Sequence, residues 1–124
     1  MVSPVKTILI ADDEEDLRLL VQVTLEDPSY RILTAIDGCA AMDAVCTNIP
    51  DLLILDWMMP GLSGYEVVRK LRLHSDTARV PIVMLTARDG LDACEQMASL
   101  DLAGYLVKPF SPLELIQKVR EVLA

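Results

Sequence analysis

The sequence predicts an α/β fold, a single flavodoxin-like (βα)5 unit in which a doubly wound parallel sheet carries helices on both faces. Two observations lead there. Short unbroken aliphatic runs (Ile8-Leu9-Ile10, Leu52 to Leu55, Ile82 to Leu85) suit strands buried on both sides rather than strands with one wet face. Segments of helical spacing separate those runs, and strict alternation of strand and helix requires parallel strands joined by right-handed crossovers. Five such strands fit the spatial order 2-1-3-4-5.

The first strand is expected over Val5 to Ala11. A first helix follows, with Leu17, Leu20, Val21, Thr24 and Leu25 on one face and an end near Asp27-Pro28. Tyr30 to Ile36 is a weaker strand, nearer an edge of the sheet. Gly38 to Thr47 is Ala-rich and helical in propensity, stopped by Asn48 and Pro50. After the third strand, Gly61-Leu62-Ser63-Gly64 leads into a third helix, placed by the spacing of Tyr65, Val68, Leu71 and Arg72. A fourth helical segment covers about Leu91 to Leu100, and Gly104 to Val107 is a second edge strand. The last helix has the clearest start: Ser111 as N-cap, Pro112 at the first helical position and Glu114 completing a capping box.

The length of 124 residues suits one domain, read here as residues 1–124. The composition, 52% hydrophobic and 24% charged with few aromatics, describes an aliphatic core and excludes disorder. A formal net charge of −8 argues against direct nucleic-acid binding through a general field. Cys39, Cys46 and Cys94 show neither CxxC spacing nor a nearby His, so they form no disulfide framework or zinc site and read as buried small hydrophobes. No apolar run has the length of a membrane span, and Met1 to Lys6 lacks the apolar stretch of a signal peptide, so a cytoplasmic location is expected.

In a parallel sheet all strands end at one edge, and ligands bind there, where the strand order switches. The first strand ends in Asp12-Asp13, the third in Asp56, the fourth in Thr86 and the fifth in Lys108. Each residue alone has a structural reading. Asp12 and Asp13 can simply place negative charge at a helix N-terminus, and Glu14, Glu15 and Asp16 read as a solvated first turn. Asp56 can be a turn former, Thr86 a strand residue and Lys108 a surface cation. Their convergence on one rim is the argument for function. Three carboxylates in one pocket repel unless a cation sits among them. With oxygen donors only, that cation is hard, and Mg²⁺ is the natural choice. Mg²⁺ takes one or two carboxylates, which leaves another free to act as a nucleophile towards phosphorus. A lysine ammonium and a threonine hydroxyl suit the remaining phosphoryl oxygens.

The stretches Ile8-Leu9-Ile10-Ala11-Asp12-Asp13-Glu14, Leu53-Ile54-Leu55-Asp56-Trp57-Met58-Met59-Pro60-Gly61-Leu62-Ser63-Gly64, Pro81-Ile82-Val83-Met84-Leu85-Thr86-Ala87 and Tyr105-Leu106-Val107-Lys108-Pro109-Phe110 resemble the receiver domain of two-component response regulators. The resemblance covers essentially the whole chain. It implies that Asp56 is the phosphoacceptor, supplied by a sensor histidine kinase or a histidine phosphotransfer protein. It further implies that Asp13 is the main metal carboxylate, with Asp12 acting through water and the backbone carbonyl of Met58 as a ligand beside Asp56. Lys108 would pair with the phosphoryl group, and its bond to Pro109 is expected to be cis. Thr86 would move towards the phosphoryl group and Tyr105 would turn inward after it. A downstream effector protein, or an output domain not visible in the sequence, would read that switch. Met58 and Arg88 flank the site and are expected to tune hydrolysis of the acyl phosphate.

Two departures qualify the resemblance. Asp101-Leu102-Ala103 stands where receivers often carry Gly-Ala-Asp, which suggests an atypical end to the fourth helix because Asp accepts left-handed backbone less readily than Gly. Between Asp89 and Leu100 there is no Lys or Arg, which argues against a dimer paired through charges on the fourth and fifth helices and favours a monomer or weak dimer. A phosphohydrolase that forms an aspartyl phosphate is the enzymatic alternative, but its motif carries a second aspartate where Met58 stands, and no cap domain fits in this length. The expected activity is therefore a phosphoacceptor switch and not turnover of a separate substrate. A degenerate receiver acting only as a binding module is disfavoured by the intact set Asp12, Asp13, Asp56, Thr86 and Lys108.

Overall fold

A computed structural model describes residues 5–87 and 100–124. The chain runs β1 (Lys6–Ala11), α1 (Glu15–Thr24), β2 (Tyr30–Ala35), α2 (Gly38–Thr47), β3 (Leu52–Asp56), α3 (Gly64–Arg72), β4 (Ile82–Ala87), β5 (Gly104–Lys108) and α4 (Pro112–Leu123). The five strands form one parallel sheet in the order β2-β1-β3-β4-β5, as the alternation predicts. The helical segment expected near Leu91 to Leu100, together with Cys94 and Arg88, lies outside the described residues apart from Leu100.

Consecutive apolar residues in the central strands are explained by the pleat, which sends neighbours to opposite faces. Ile8, Ile10, Leu52, Ile54, Val83 and Leu85 face one layer, closed by Val21 and Leu25 from the α1 side and by Leu115 and Val119 of α4. Leu9, Ala11, Leu53, Leu55, Ile82 and Met84 face the other, closed by Ala41 and Val45 of α2 and by Val67, Val68 and Leu71 of α3. Each fully buried Leu or Ile contributes about 1.5–3 kcal/mol relative to exposure, so two such layers hold the sheet rigidly between helices. Changing Ile54 to Asp would insert an unpaired charge into the centre of one layer.

Helix ends follow local chemistry. Asp37 caps α2 by accepting from the Ala40 N–H, and Ser63 caps α3 by accepting from the Glu66 N–H. Ser111 and Glu114 form the expected capping box of α4, with Pro112 in its first turn. Asp101 has φ +55°, so the left-handed conformation usual for glycine is present at this position in spite of its side chain.

Two side-chain expectations, for Leu20 and for the cysteines of α2, need correction. Leu20 is exposed, because burial of Val21 turns the apolar stripe of α1 away from it; Leu17 and Thr24 are half-buried. In α3 the buried stripe is Gly64, Val67, Val68 and Leu71, with Tyr65 and Arg72 at its margins. Cys39 and Cys46 are exposed rather than buried. In α2 the inward positions are Gly38, Ala41 and Val45, and each cysteine follows one of the end members by a single residue, a turn of about 100° away from the core.

Candidate functional site

The sheet register sets the site before any side chain is considered. Ala11 lies beside Leu55 and Asp56 beside Leu85, so the residues following β1 meet the end of β3 at the same rim. On the far side Thr86 pairs with Val107 and Ala87 with Lys108. Asp12, Asp13 and Asp56 each place a carboxylate oxygen within 4.8 Å of the others. Asp12 is fully buried, Asp56 is buried and Asp13 is exposed at the mouth.

Lys108 reaches across to this cluster. Its ammonium lies 3.0 Å from Asp12 Oδ2, 3.5 Å from Asp56 Oδ1 and 3.6 Å from Glu14 Oε1. The other Asp12 oxygen, Oδ1, accepts from the Glu14 N–H at 2.8 Å, and the Arg18 guanidinium donates to the Asp12 carbonyl. Asp56 Oδ1 accepts from the Met58 N–H at 3.3 Å. The Asp56 carboxyl is pushed up to about 6 by burial and by the Asp12 charge, against the pull of Lys108 and the Met58 N–H. Burial pulls the Lys108 ammonium down, but its hydrogen bond to Asp12 and the charges of Asp56, Asp12 and Glu14 outweigh that and hold it above its ordinary value. The Lys108–Pro109 peptide is cis, as expected.

The turn after Asp56 is held by backbone proximity. A Cβ at Gly64 would lie 2.3 Å from the Asp56 carbonyl oxygen, and the Gly64 N–H donates to the Trp57 carbonyl at 3.0 Å. Only glycine lets α3 begin so close to the end of β3. Gly38 permits a similar close approach at the start of α2, where a Cβ would meet the Leu62 carbonyl oxygen at 2.2 Å. The Trp57 ring packs edge-on to Tyr65 at 5.8 Å between centroids, and Arg69 lies over the Tyr65 ring.

The response regulator receiver domain family matches residues 8–120. This chain belongs to that family. It is 42% identical over 118 residues to the phosphate regulon transcriptional regulatory protein PhoB of Pseudomonas aeruginosa, covering 95% of this chain and 52% of that protein. It is 41% identical over 120 residues to the alkaline phosphatase synthesis transcriptional regulatory protein PhoP of Bacillus subtilis, covering 95% of this chain and 48% of that one. The receiver thus spans about half the length of the curated relatives it matches. The solved structure of the chemotaxis protein CheY4 of Vibrio cholerae superposes with a TM-score of 0.88 at 33% identity, over 96% of this chain and 99% of that one. The fold and the acidic pocket of this receiver are those of a two-component regulator.

The other residues singled out in the sequence are placed as follows. Thr86 is buried at the end of β4, with its hydroxyl donating to the Ala87 carbonyl at 3.2 Å. Tyr105, on the edge strand β5, is 47% exposed. Met58, two residues after Asp56, is 71% exposed. Glu14, read from sequence as one of several solvated acids, is partly that, but its carboxylate also meets Lys108; nothing in the acidic run marks it out from Glu15 or Asp16.

The donor set fits a hard divalent cation. Only carboxylate oxygens converge, two from buried residues, and the Asp56 carboxyl is raised first by burial and then by the Asp12 charge. Among the described residues this is the one cluster of three potential metal ligands. No helix among them is long and apolar enough to cross a membrane.

Proposed function

We propose that this receiver takes a phosphoryl group from a phosphohistidine, carried by a sensor histidine kinase or a histidine phosphotransfer protein, onto Asp56. The observation that carries the reading is the buried Asp56 carboxylate clustered with those of Asp12 and Asp13 and lying 3.5 Å from the Lys108 ammonium. Asp12, Asp13 and Asp56, with the Met58 carbonyl, would hold Mg²⁺. Bound there, Mg²⁺ supplies charge neutralisation and orientation to the phosphoryl oxygens. An oxygen of Asp56 forms the new bond to phosphorus as the phosphorus–nitrogen bond of the donor breaks. The electron pair stays on the imidazole nitrogen, which takes up a proton, and Asp56 becomes an acyl phosphate. Water later cleaves that anhydride and returns the carboxylate.

Lys108 holds one phosphoryl oxygen by charge, and the Thr86 hydroxyl, released from the Ala87 carbonyl, donates to another. Tyr105 would turn inward after Thr86 moves, as the family resemblance implies. The contacts exist only with the phosphoryl group present, so they supply the differential free energy that a two-state shift needs. A downstream protein, or an output domain such as the length of the relatives allows, reads the altered β4–β5 surface. Acceptance and loss of its own phosphoryl group is the chemistry proposed, in the cytoplasm where such a donor would be met, with no turnover of a separate substrate.

Incubation with Mg²⁺ and acetyl phosphate should add one phosphoryl group by intact mass, absent without metal and absent in Asp56→Asn. An unchanged mass in the parent protein would sink the acceptor reading and leave a binding module with this fold.

A further inference from the structure

Lys108 has three carboxylate neighbours, and they are not equally able to let go. Asp12 is fully buried, its Oδ2 bonded to the ammonium at 3.0 Å and its Oδ1 fixed at 2.8 Å by the Glu14 N–H. Releasing Asp12 would strand a buried charge, a large cost. Asp56 is the proposed acceptor and lies 3.5 Å away. The Glu14 side chain, 3.6 Å from the ammonium, is 64% exposed and can return to water at little cost. Glu14 therefore touches the pocket twice, its backbone holding Asp12 and its side chain holding Lys108.

We propose that Glu14 is a positioning residue, an exchangeable partner that holds the Lys108 ammonium over the pocket and yields it when a phosphoryl group arrives on Asp56. This rests on the acceptor reading and adds a residue to it. A carboxylate that competes for the ammonium, and repels the incoming anion, lowers the affinity of the pocket for a phosphoryl group. Glu15 and Asp16 bear the same charge in the first turn of α1, but among the described residues no ion pair joins either to Lys108.

The test compares the parent protein with Glu14→Gln and Glu15→Gln, which change formal charge equally. Beryllofluoride with Mg²⁺ serves as an inert phosphoryl mimic, and its dissociation constant is measured at low and high NaCl. Glu14→Gln should bind it about three- to fivefold more tightly at low salt, as expected for losing one partly exposed ion pair, and the gain should shrink as salt screens the charge. Glu15→Gln should match the parent. In the metal-free proteins, the Lys108 Nζ resonance should move in Glu14→Gln and stay in place in Glu15→Gln, a signature that a merely structural role of Glu14 would not produce. Equal gains in both variants would reduce the effect to net charge and overturn the contact. No gain in either, with parent-like folding by circular dichroism, would also overturn it. If the parent itself fails to bind the mimic, the acceptor reading falls, and the role of Glu14 falls with it.

Discussion

Two cations sit among oxygens at opposite rims of the sheet, and they are built for opposite purposes. At the carboxyl rim Lys108 faces the charged oxygens of Asp12, Asp56 and Glu14. At the amino rim Arg72, ending α3, donates to the neutral carbonyls of Ala78 and Val80 before β4 and of Leu100 and Asp101 before β5. Burial lowers the Arg72 pKa, opposed by Asp101, whereas the carboxylates around Lys108 win over burial and raise its value. Carbonyl dipoles belong to fixed backbone, and the planar guanidinium satisfies several at once, so Arg72 has nowhere better to go. The carboxylates carry surplus negative charge that a cation or a phosphoryl group can rearrange. One rim is a fastening; the other is, on the reading proposed above, a place where partners are exchanged.

The sharpest way to break this contrast is Arg72→Met. Four carbonyls lose a donor, and we expect a loss of about 3–4 kcal/mol in urea denaturation. Phosphoryl uptake per folded molecule should stay at the parent level, and Arg72→Lys should recover little because a point charge cannot span the set. A stability equal to the parent would refute the fastening.

Asp56→Asn should move stability the other way. With a folded-state pKa of about 6 against an ordinary 3.8, the carboxyl holds its proton more tightly folded than unfolded. Below about pH 4 both states are protonated and nothing is lost. Between about 4 and 6 the unfolded state ionises first, so stability falls, and above about 6 the loss is complete. At about 1.4 kcal/mol for each pKa unit the loss reaches at most about 3 kcal/mol. In EDTA, Asp56→Asn should therefore gain stability over the parent at pH 7.5 and show no such gain below pH 4. A pH-independent difference between the two proteins would contradict the raised proton affinity that burial and Asp12 give Asp56.

Lys108→Met should cost about 2 kcal/mol at neutral pH, less than loss of a fully buried pair because the lysine is partly exposed. Added Mg²⁺ should restore much of it, whereas no metal should rescue Arg72→Met. The smallest effect is expected of Ser111→Ala, about 1 kcal/mol from loss of the cap that anchors α4 just beyond Lys108.

How much of this could be read in the sequence follows from where the information sits. Ile8 to Ala11, Leu52 to Asp56 and Ile82 to Ala87 announce buried strands because the pattern is local, and the parallel arrangement then brings Asp12, Asp56 and Lys108 to one rim without further detail. The Ser111–Glu114 box is legible for the same reason. Arg72 is not, since its partners are backbone carbonyls, which carry no residue signature. Glu14 is hidden within a run of acids, and only the placement of Lys108 at the far end of the chain selects it. The cysteines of α2 turned on helical phase: a shift of one residue moves a side chain from core to solvent, and an Ala-rich helix leaves that phase weakly marked. Gly64 stands plainly in the sequence, but its necessity lies in the Asp56 carbonyl against which it packs.

The Trp57–Tyr65 pair has a practical consequence. The chain contains a single tryptophan, so all indole emission has one origin, and that origin is bonded to the proposed acceptor residue. Half-buried and braced by Tyr65, the indole belongs to the residue that follows Asp56, so a change of charge on Asp56 is expected to alter its emission. The protein thus carries an internal optical probe next to the proposed acceptor, with which the proposed metal binding and phosphoryl uptake can be followed in real time without attaching a dye.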